Sequence, residues 1–272
     1  MPLPILQTSR EPTRVDLLRH FQKTRRRLAE QLAEAEETDF GVLLANSEFS
    51  LLPESNCVLD ARWDLQAISA VSDYFTQHNA RCERWTLDAC APEMTLPLTQ
   101  VLQQSGLVER TTRILHLKHS GRVAAADAAE LQIIPARAGY RQMRELAQIV
   151  AEEARLSSPG AAQFVEAAER RLDDPHWDCL LVLRNARAIA SIAVLCVGDM
   201  GLIAGRLVRF ADSTPILDRL LVSRALEVAA RSMLRRVFVE VAIEETTFTA
   251  ELAAFGFEEI GRAIHYEPPV SM

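Results

Sequence analysis

Glycine and lysine are both scarce in this 272-residue chain. There are 10 glycines, where a usual share of about 7% would give roughly 19. Of 30 basic residues only Lys23 and Lys118 are lysines. No Gly-x-Gly and no Gly-Lys-Ser/Thr occurs, which excludes the dinucleotide fingerprint, a kinase-type glycine loop and the P-loop. Schiff-base chemistry would have to use one of two lysines, one in an arginine-rich segment and one beside a low-complexity stretch. Cysteine is sparse as well. Cys57, Cys82, Cys90, Cys179 and Cys196 are odd in number and form no CxxC pair, so reduced, mostly buried thiols in a cytoplasm are expected. The longest apolar run, near 188–198, falls far short of a span, and residues 1–12 lack a basic stretch followed by an apolar core. No membrane segment is expected.

What is present is a balanced, foldable composition. The chain is 49% hydrophobic and 25% charged, with a formal net charge of −7. Acidic and basic groups are spread evenly over both halves, which argues against a nucleic-acid partner. The basic cluster Arg25-Arg26-Arg27 lies in an amphipathic segment and reads as a solvated helix face. His116 and His119 form HxxH without a further ligand at zinc spacing, so no metal is expected. His176 follows Asp-Asp-Pro and reads as part of a turn. No Gly-x-Ser-x-Gly marks a nucleophile elbow.

Periodicity predicts a helix over 13–37, strands from 40 and 57, a helix over 64–78, a strand at CERWTL, a helix over 95–104 and a strand ending at Lys118. Residues 119–130, HSGRVAAADAAE, read as a linker. The chain then restarts with a strand from 131, helices over 138–154 and 161–172, three consecutive strands between 179 and 210, a helix over 216–234, a strand VFVEVA, a helix over 246–254 and a closing strand. This is an α/β pattern with a mixed sheet. The order helix, strand, helix, Gly-apolar, strand occurs twice, over 64–115 and 218–265. Gly106-Leu107 and Gly256-Phe257 sit at its matching points, so two related halves are expected.

The order of elements in the second half, together with its close ELAAFGFEEIGRAIHY, resembles the GNAT acyl-CoA N-acyltransferase superfamily. VLQQSGLVERTTRILHL and AVSDYFTQHNARCERWTL are similar to the reduced N-terminal unit of tandem members. The resemblance implies a reduced GNAT-like domain over 1–118, the linker at 119–130 and a GNAT-like acyltransferase domain over 131–272. It implies acetyl-CoA as acyl donor and a small-molecule amine as acceptor, and leaves the oligomeric state open. By position, it also implies that the pantetheine arm meets Leu207, Val208 and Arg209, and that the pyrophosphate meets the helix start at Ser213, Thr214, Ile216 and Leu217, where unpaired amides and the helix dipole favour an anion.

The sequence departs from the family where glycines are usual: it has Asp212-Ser213-Thr214-Pro215-Ile216-Leu217. Asp-Ser-Thr-Pro suits a helix start, with Ser213 or Thr214 as N-cap, so this segment serves as a cap alone or as a cap and anion site. The family's usual tyrosine is Leu252, and the polar residue after the fifth strand is Glu245. Glu240 interrupts an apolar strand beside the expected opening; it is either the general base or the partner of Arg235 or Arg236. Tyr266 reads as packing. The activity expected is N-acetyl transfer, and the alternative is a non-catalytic GNAT-like module that binds a small ligand or a protein partner.

Overall fold

Thr13 opens the first helix with a capping box, its hydroxyl accepting from the Asp16 amide while the Asp16 carboxylate accepts from the Thr13 amide. This reciprocal pair satisfies amides that the first turn leaves free. The computed structural model describes residues 11–63, 67–91, 93, 95–118 and 130–269. Helix α1 (Arg14–Ala29) is followed by strands β1 (Glu34–Thr38), β2 (Gly41–Ala45) and β3 (Cys57–Ala61), helix α2 (Ala67–Gln77), β4 (Arg84–Leu87), α3 (Leu96–Gln104) and β5 (Val108–Leu117). The second half runs β6 (Leu131–Pro135), α4 (Tyr140–Glu153), α5 (Ser158–Leu172), β7 (Trp177–Arg184), β8 (Arg187–Val197), β9 (Met200–Val208), α6 (Pro215–Arg231), β10 (Arg236–Ala242), α7 (Thr246–Ala254) and β11 (Phe257–Glu267).

The helix expected over 13–37 ends at Ala29, and residues 34–38 form an edge strand paired with β2. Their Ala and Glu content favours helix in isolation. Pairing overrides that preference, and the glutamates leave a charged edge that resists further strand addition. The expected linker lies, apart from residue 130, outside the described residues.

Among the described residues eleven strands join one sheet in the order β1-β2-β3-β4-β11-β5-β10-β9-β8-β7-β6. Two neighbours are parallel, β3 with β4 and β9 with β10; the other contacts are antiparallel. The repeat is visible in this order. Each half contributes an antiparallel set, a parallel step and a last strand, and the last strands are exchanged: β5 lies against β10, while β11 lies against β4. Gly106 and Gly256, with φ of 81° and 94°, make the matching turns into β5 and β11.

Alternation along the central strands separates two faces. Phe238, Ile114 and Ala263 pack under Leu18 and Phe21 of α1, together with residues of α4 and α5. Val237, Val239 and Leu115 face α6 and α7, while Trp85 and Tyr266 face α2 and α3. Phe21 meets Phe238 edge to face at 6.2 Å. Burial pushes the Cys57 and Cys179 thiols up to about 12, and all five cysteines are free. Among the described residues no helix is long and apolar enough to cross a membrane.

Candidate active site

The parallel ladder between β9 and β10 starts at Met200↔Arg236 and ends at Ile203↔Val239. Beyond that point β9 carries a bulge. Ser191 and Ala193 of β8 pair with Leu207 and Ala204, so β9 takes three steps where β8 takes two. Gly205 supplies the extra residue in a left-handed conformation, φ 61°, with its carbonyl fixed by the Ser191 hydroxyl at 3.0 Å. An added residue bends and twists the strand that carries it, and here the ladder with β10 ends just before it. A cavity of about 620 Å³ fills the opening.

The cavity reaches both faces of the sheet. On the α1 face it is lined by Arg25, Leu28, Arg84, Arg110, Thr112, Glu240 and His265. On the α6/α7 face Arg206, Val239, Val241, Glu245 and Phe248 line it. The α1-face wall is a polar row across four neighbouring strands. The Thr86 hydroxyl lies 2.9 Å from His265 Nδ1, His265 Nε2 lies 2.9 Å from Glu240 Oε1, and the Thr112 hydroxyl donates to the same oxygen at 2.5 Å. His265 Nε2 therefore faces the carboxylate and donates to it, while Nδ1 faces the Thr86 hydroxyl. Burial would raise the Glu240 carboxyl, but the hydrogen bond and charge of His265, with Arg25 and Thr112, hold it down at about 2. Its second oxygen, Oε2, takes no hydrogen bond among the described residues, and the side chain keeps 22% exposure on the cavity.

Glu240 is therefore brought into an opening, as its position in VFVEVA suggested, but its partner differs from the expected one. Arg236 pairs with Asp199 at 2.8 Å, and Glu240 pairs with His265. Sequence reasoning missed His265, Thr112 and Thr86 because they belong to strands whose neighbours are set by the exchange. The signal was period 2: Ala263 and His265 share a face, opposite to Ile264 and Tyr266. The solvated-face reading of Arg25–Arg27 also needs correction. Arg26 pairs with the exposed Glu37 and Arg27 with the largely covered Asp174, whereas Arg25 is 7% exposed, pairs with Asp60 at 2.6 Å and lines the cavity. Successive residues of a helix are turned by about 100°, so three adjacent arginines cannot share one environment.

The helix start at α6 is capped by Thr214, whose hydroxyl accepts from the Leu217 amide at 3.2 Å. Ser213 gives its amide to Phe210, and Pro215 has none. Thr214 and Ile216 keep amides without a partner among the described residues. Asp212 is held by Arg184 at 2.6 Å and Arg209 at 3.7 Å, and Asp218 by Arg206 at 2.7 Å. Arg206 also stacks over Phe248 at 4.4 Å and reaches Glu245 at 3.5 Å. Leu207 and Val208 form the outer end of β9 and Arg209 follows it, whereas the cavity wall uses Leu202 to Arg206. Leu217 packs in the core, as does Leu252.

Tyr266 is buried in the opposite face, donates to Glu109 at 2.7 Å and is pushed up to about 12, chiefly by burial. His176 gives its amide to Asp174 in a turn. His116 packs against Phe238, and His119 lies outside the described residues. No group of three or more metal-ligating side chains occurs among the described residues.

Comparison with solved structures agrees with this geometry. A GCN5-related N-acetyltransferase from Kribbella flavida superposes with a TM-score of 0.64 at 13% identity, covering 94% of this chain and 96% of the other. The fold is that of the GNAT acetyltransferases. A tandem GNAT protein from the clavulanic acid biosynthesis pathway covers 95% of this chain and 94% of its own, at TM-score 0.51 and 14% identity. A functionally unknown conserved protein from Staphylococcus epidermidis matches over 86% and 93%, at TM-score 0.64 and 12% identity. No protein-family model and no curated protein matches the sequence. The GNAT fold accounts for both halves and for the position of the opening between β9 and β10.

Proposed function

We propose that this protein transfers an acyl group, acetyl in the simplest case, from acyl-coenzyme A to a small-molecule amine. The observation that carries this reading is the divergence of β9 from β10 beyond Ile203↔Val239, with the open oxygen of Glu240 on the cavity it creates.

The residues present fit such a donor. Diverging strand edges suit an amide-bearing chain, and the α6 start offers the Thr214 and Ile216 amides. Arg184, Arg206 and Arg209 surround that start, each paired with Asp212 or Asp218. When bound, the donor supplies an activated thioester carbonyl. Leu207, Val208 and Arg209 would lie along its arm, and Ser213 and Leu217 would contribute through the shape of the cap.

On the α1 face, Glu240 attracts the acceptor ammonium and fixes it by Oε2. His265 and Thr112 hold Oε1, so the carboxylate does not rotate away. The bound ammonium first gives one proton to water in the cavity, which frees the nitrogen lone pair; as the N–C bond then forms and the C–S bond breaks, the nitrogen carries positive charge again and becomes far more acidic. A carboxylate with a low pKa can then take its proton and release it to water through the cavity. No tyrosine lines the cavity, so water protonates the departing thiolate. The free cysteines support a reducing cytoplasm as the compartment.

Calorimetric titration with acetyl-CoA and with coenzyme A tests the reading. Saturable binding with a stoichiometry of one per chain is expected. No heat at millimolar ligand would remove the donor and leave a non-catalytic binding module.

A further inference from the structure

The acceptor side of the cavity has one open carboxylate oxygen on Glu240 and one cation that makes no ion pair among the described residues. On the four central strands and α1, Arg25 pairs with Asp60 at 2.6 Å and Arg84 with Glu267 at 2.5 Å. Glu240 keeps Oε2 open. Arg110, exposed on β5, lines the same cavity and makes no ion pair among the described residues. Arg110 and Thr112 point to one face of β5, about 7 Å apart along the strand, and Thr112 is bonded to Glu240. Behind them is the enclosed guanidinium of Arg25, its side chain 8% exposed, with Nε and Nη1 buried and lacking any acceptor. A buried donor without a partner is destabilising, and here it belongs to a cavity-lining side chain. Glu244, four residues along from Glu240 and exposed on the same cavity, adds negative charge on the Glu240 side.

We propose that the acceptor is a short amino acid or similar amine that also carries a carboxylate, its ammonium held by Glu240 and its carboxylate by Arg110 with Arg25 behind. The amine end of this assignment rests on the acyl-transfer reading; the carboxylate end rests on the arginines. It gives the first half of the chain a definite task. α1 and β5 supply the cations that select the acceptor, and the second half supplies Glu240 and the donor opening. Guanidinium groups suit this role because their planar donors match a carboxylate in pairs.

The test is ligand-observed NMR binding on the full chain with glycine, β-alanine, 4-aminobutyrate and lysine, each measured against its own carboxamide. At least one acid is expected to bind tenfold or more tightly than its amide, and Arg110→Gln is expected to abolish that preference. Arg110 is exposed, so its replacement leaves the core intact; Arg25→Lys, measured beside it, is expected to reduce the preference as well. The proposal is overturned if no acid outbinds its amide, or if the preference survives in Arg110→Gln. Titration of the same samples with acetyl-CoA separates the two readings. Loss of donor binding with the acid preference intact removes acyl transfer and keeps the arginine site. Donor binding with no acid preference does the reverse.

Discussion

Glu240→Gln keeps the size of the side chain and its capacity to accept from Thr112, but removes the charge. If Glu240 takes the acceptor proton, turnover should fall by about 100-fold or more while the affinity for acetyl-CoA is unchanged; unchanged turnover would exclude it as base. The same residue makes a prediction for stability. Its folded pKa, about 2, lies below the ordinary value of 4.5. Its contribution is therefore complete above about pH 4.5 and is lost as pH falls toward 2, on the order of 3 kcal/mol in all. Urea midpoints measured from pH 6 to pH 2 should show this acid limb in the wild type and a shallower one in Glu240→Gln. At this scale the sequence was half legible. A carboxylate inside VFVEVA is conspicuous because it breaks an apolar strand. His265 is not, because its partner lies 25 positions away on a strand it does not touch directly. Arg25 was misread because a run of three arginines looks uniform until the helix turns one of them inward.

Elements were legible where local chemistry decides them. Asp-Ser-Thr-Pro specifies a helix start, and Thr214 caps α6; Thr214→Ala should cost about 1 kcal/mol, read as a shift in urea midpoint. β1 was not legible, since only its pairing with β2 makes a strand of EAEET. The bulge in β9 lies between these cases. A glycine inside an apolar strand hints at a bulge, but the neighbouring strand fixes where the ladder breaks. Gly205→Ala tests the bulge as the cause of the opening. The left-handed backbone alone costs about 1–2 kcal/mol for alanine, and its Cβ would lie 2.7 Å from the Trp177 ring. Lower stability and weaker acetyl-CoA binding are expected together. If stability falls and donor affinity does not, the bulge is structural and something else shapes the cleft.

At the scale of the molecule, the repeat was readable from matching glycines and element order, but the exchange of last strands was not. Hydrophobic patterning is the same whether a strand returns to its own half or crosses to the other. The exchange has a consequence for folding. β5 is paired on both sides by strands of the second half, over residues 257–267 on β11 and 238–242 on β10. Without the second half, β5 would expose two long unpaired edges; without the first, β10 and β11 would lose the strand that joins them. Such edges invite aggregation. Residues 1–118 or 130–272 produced alone should therefore be insoluble or associated. The two fragments produced in the same cell should copurify as one folded complex, because the break falls between β5 and β6 and severs no pairing in the sheet. Size-exclusion chromatography and circular dichroism of the three preparations decide this. A soluble, monomeric, folded 130–272 would mean that the second half can close its own sheet. The fragment lacks Thr86, Thr112, Arg25 and Arg110, so any acetyl transfer it kept would run on Glu240 and His265 alone and should show a changed acceptor preference.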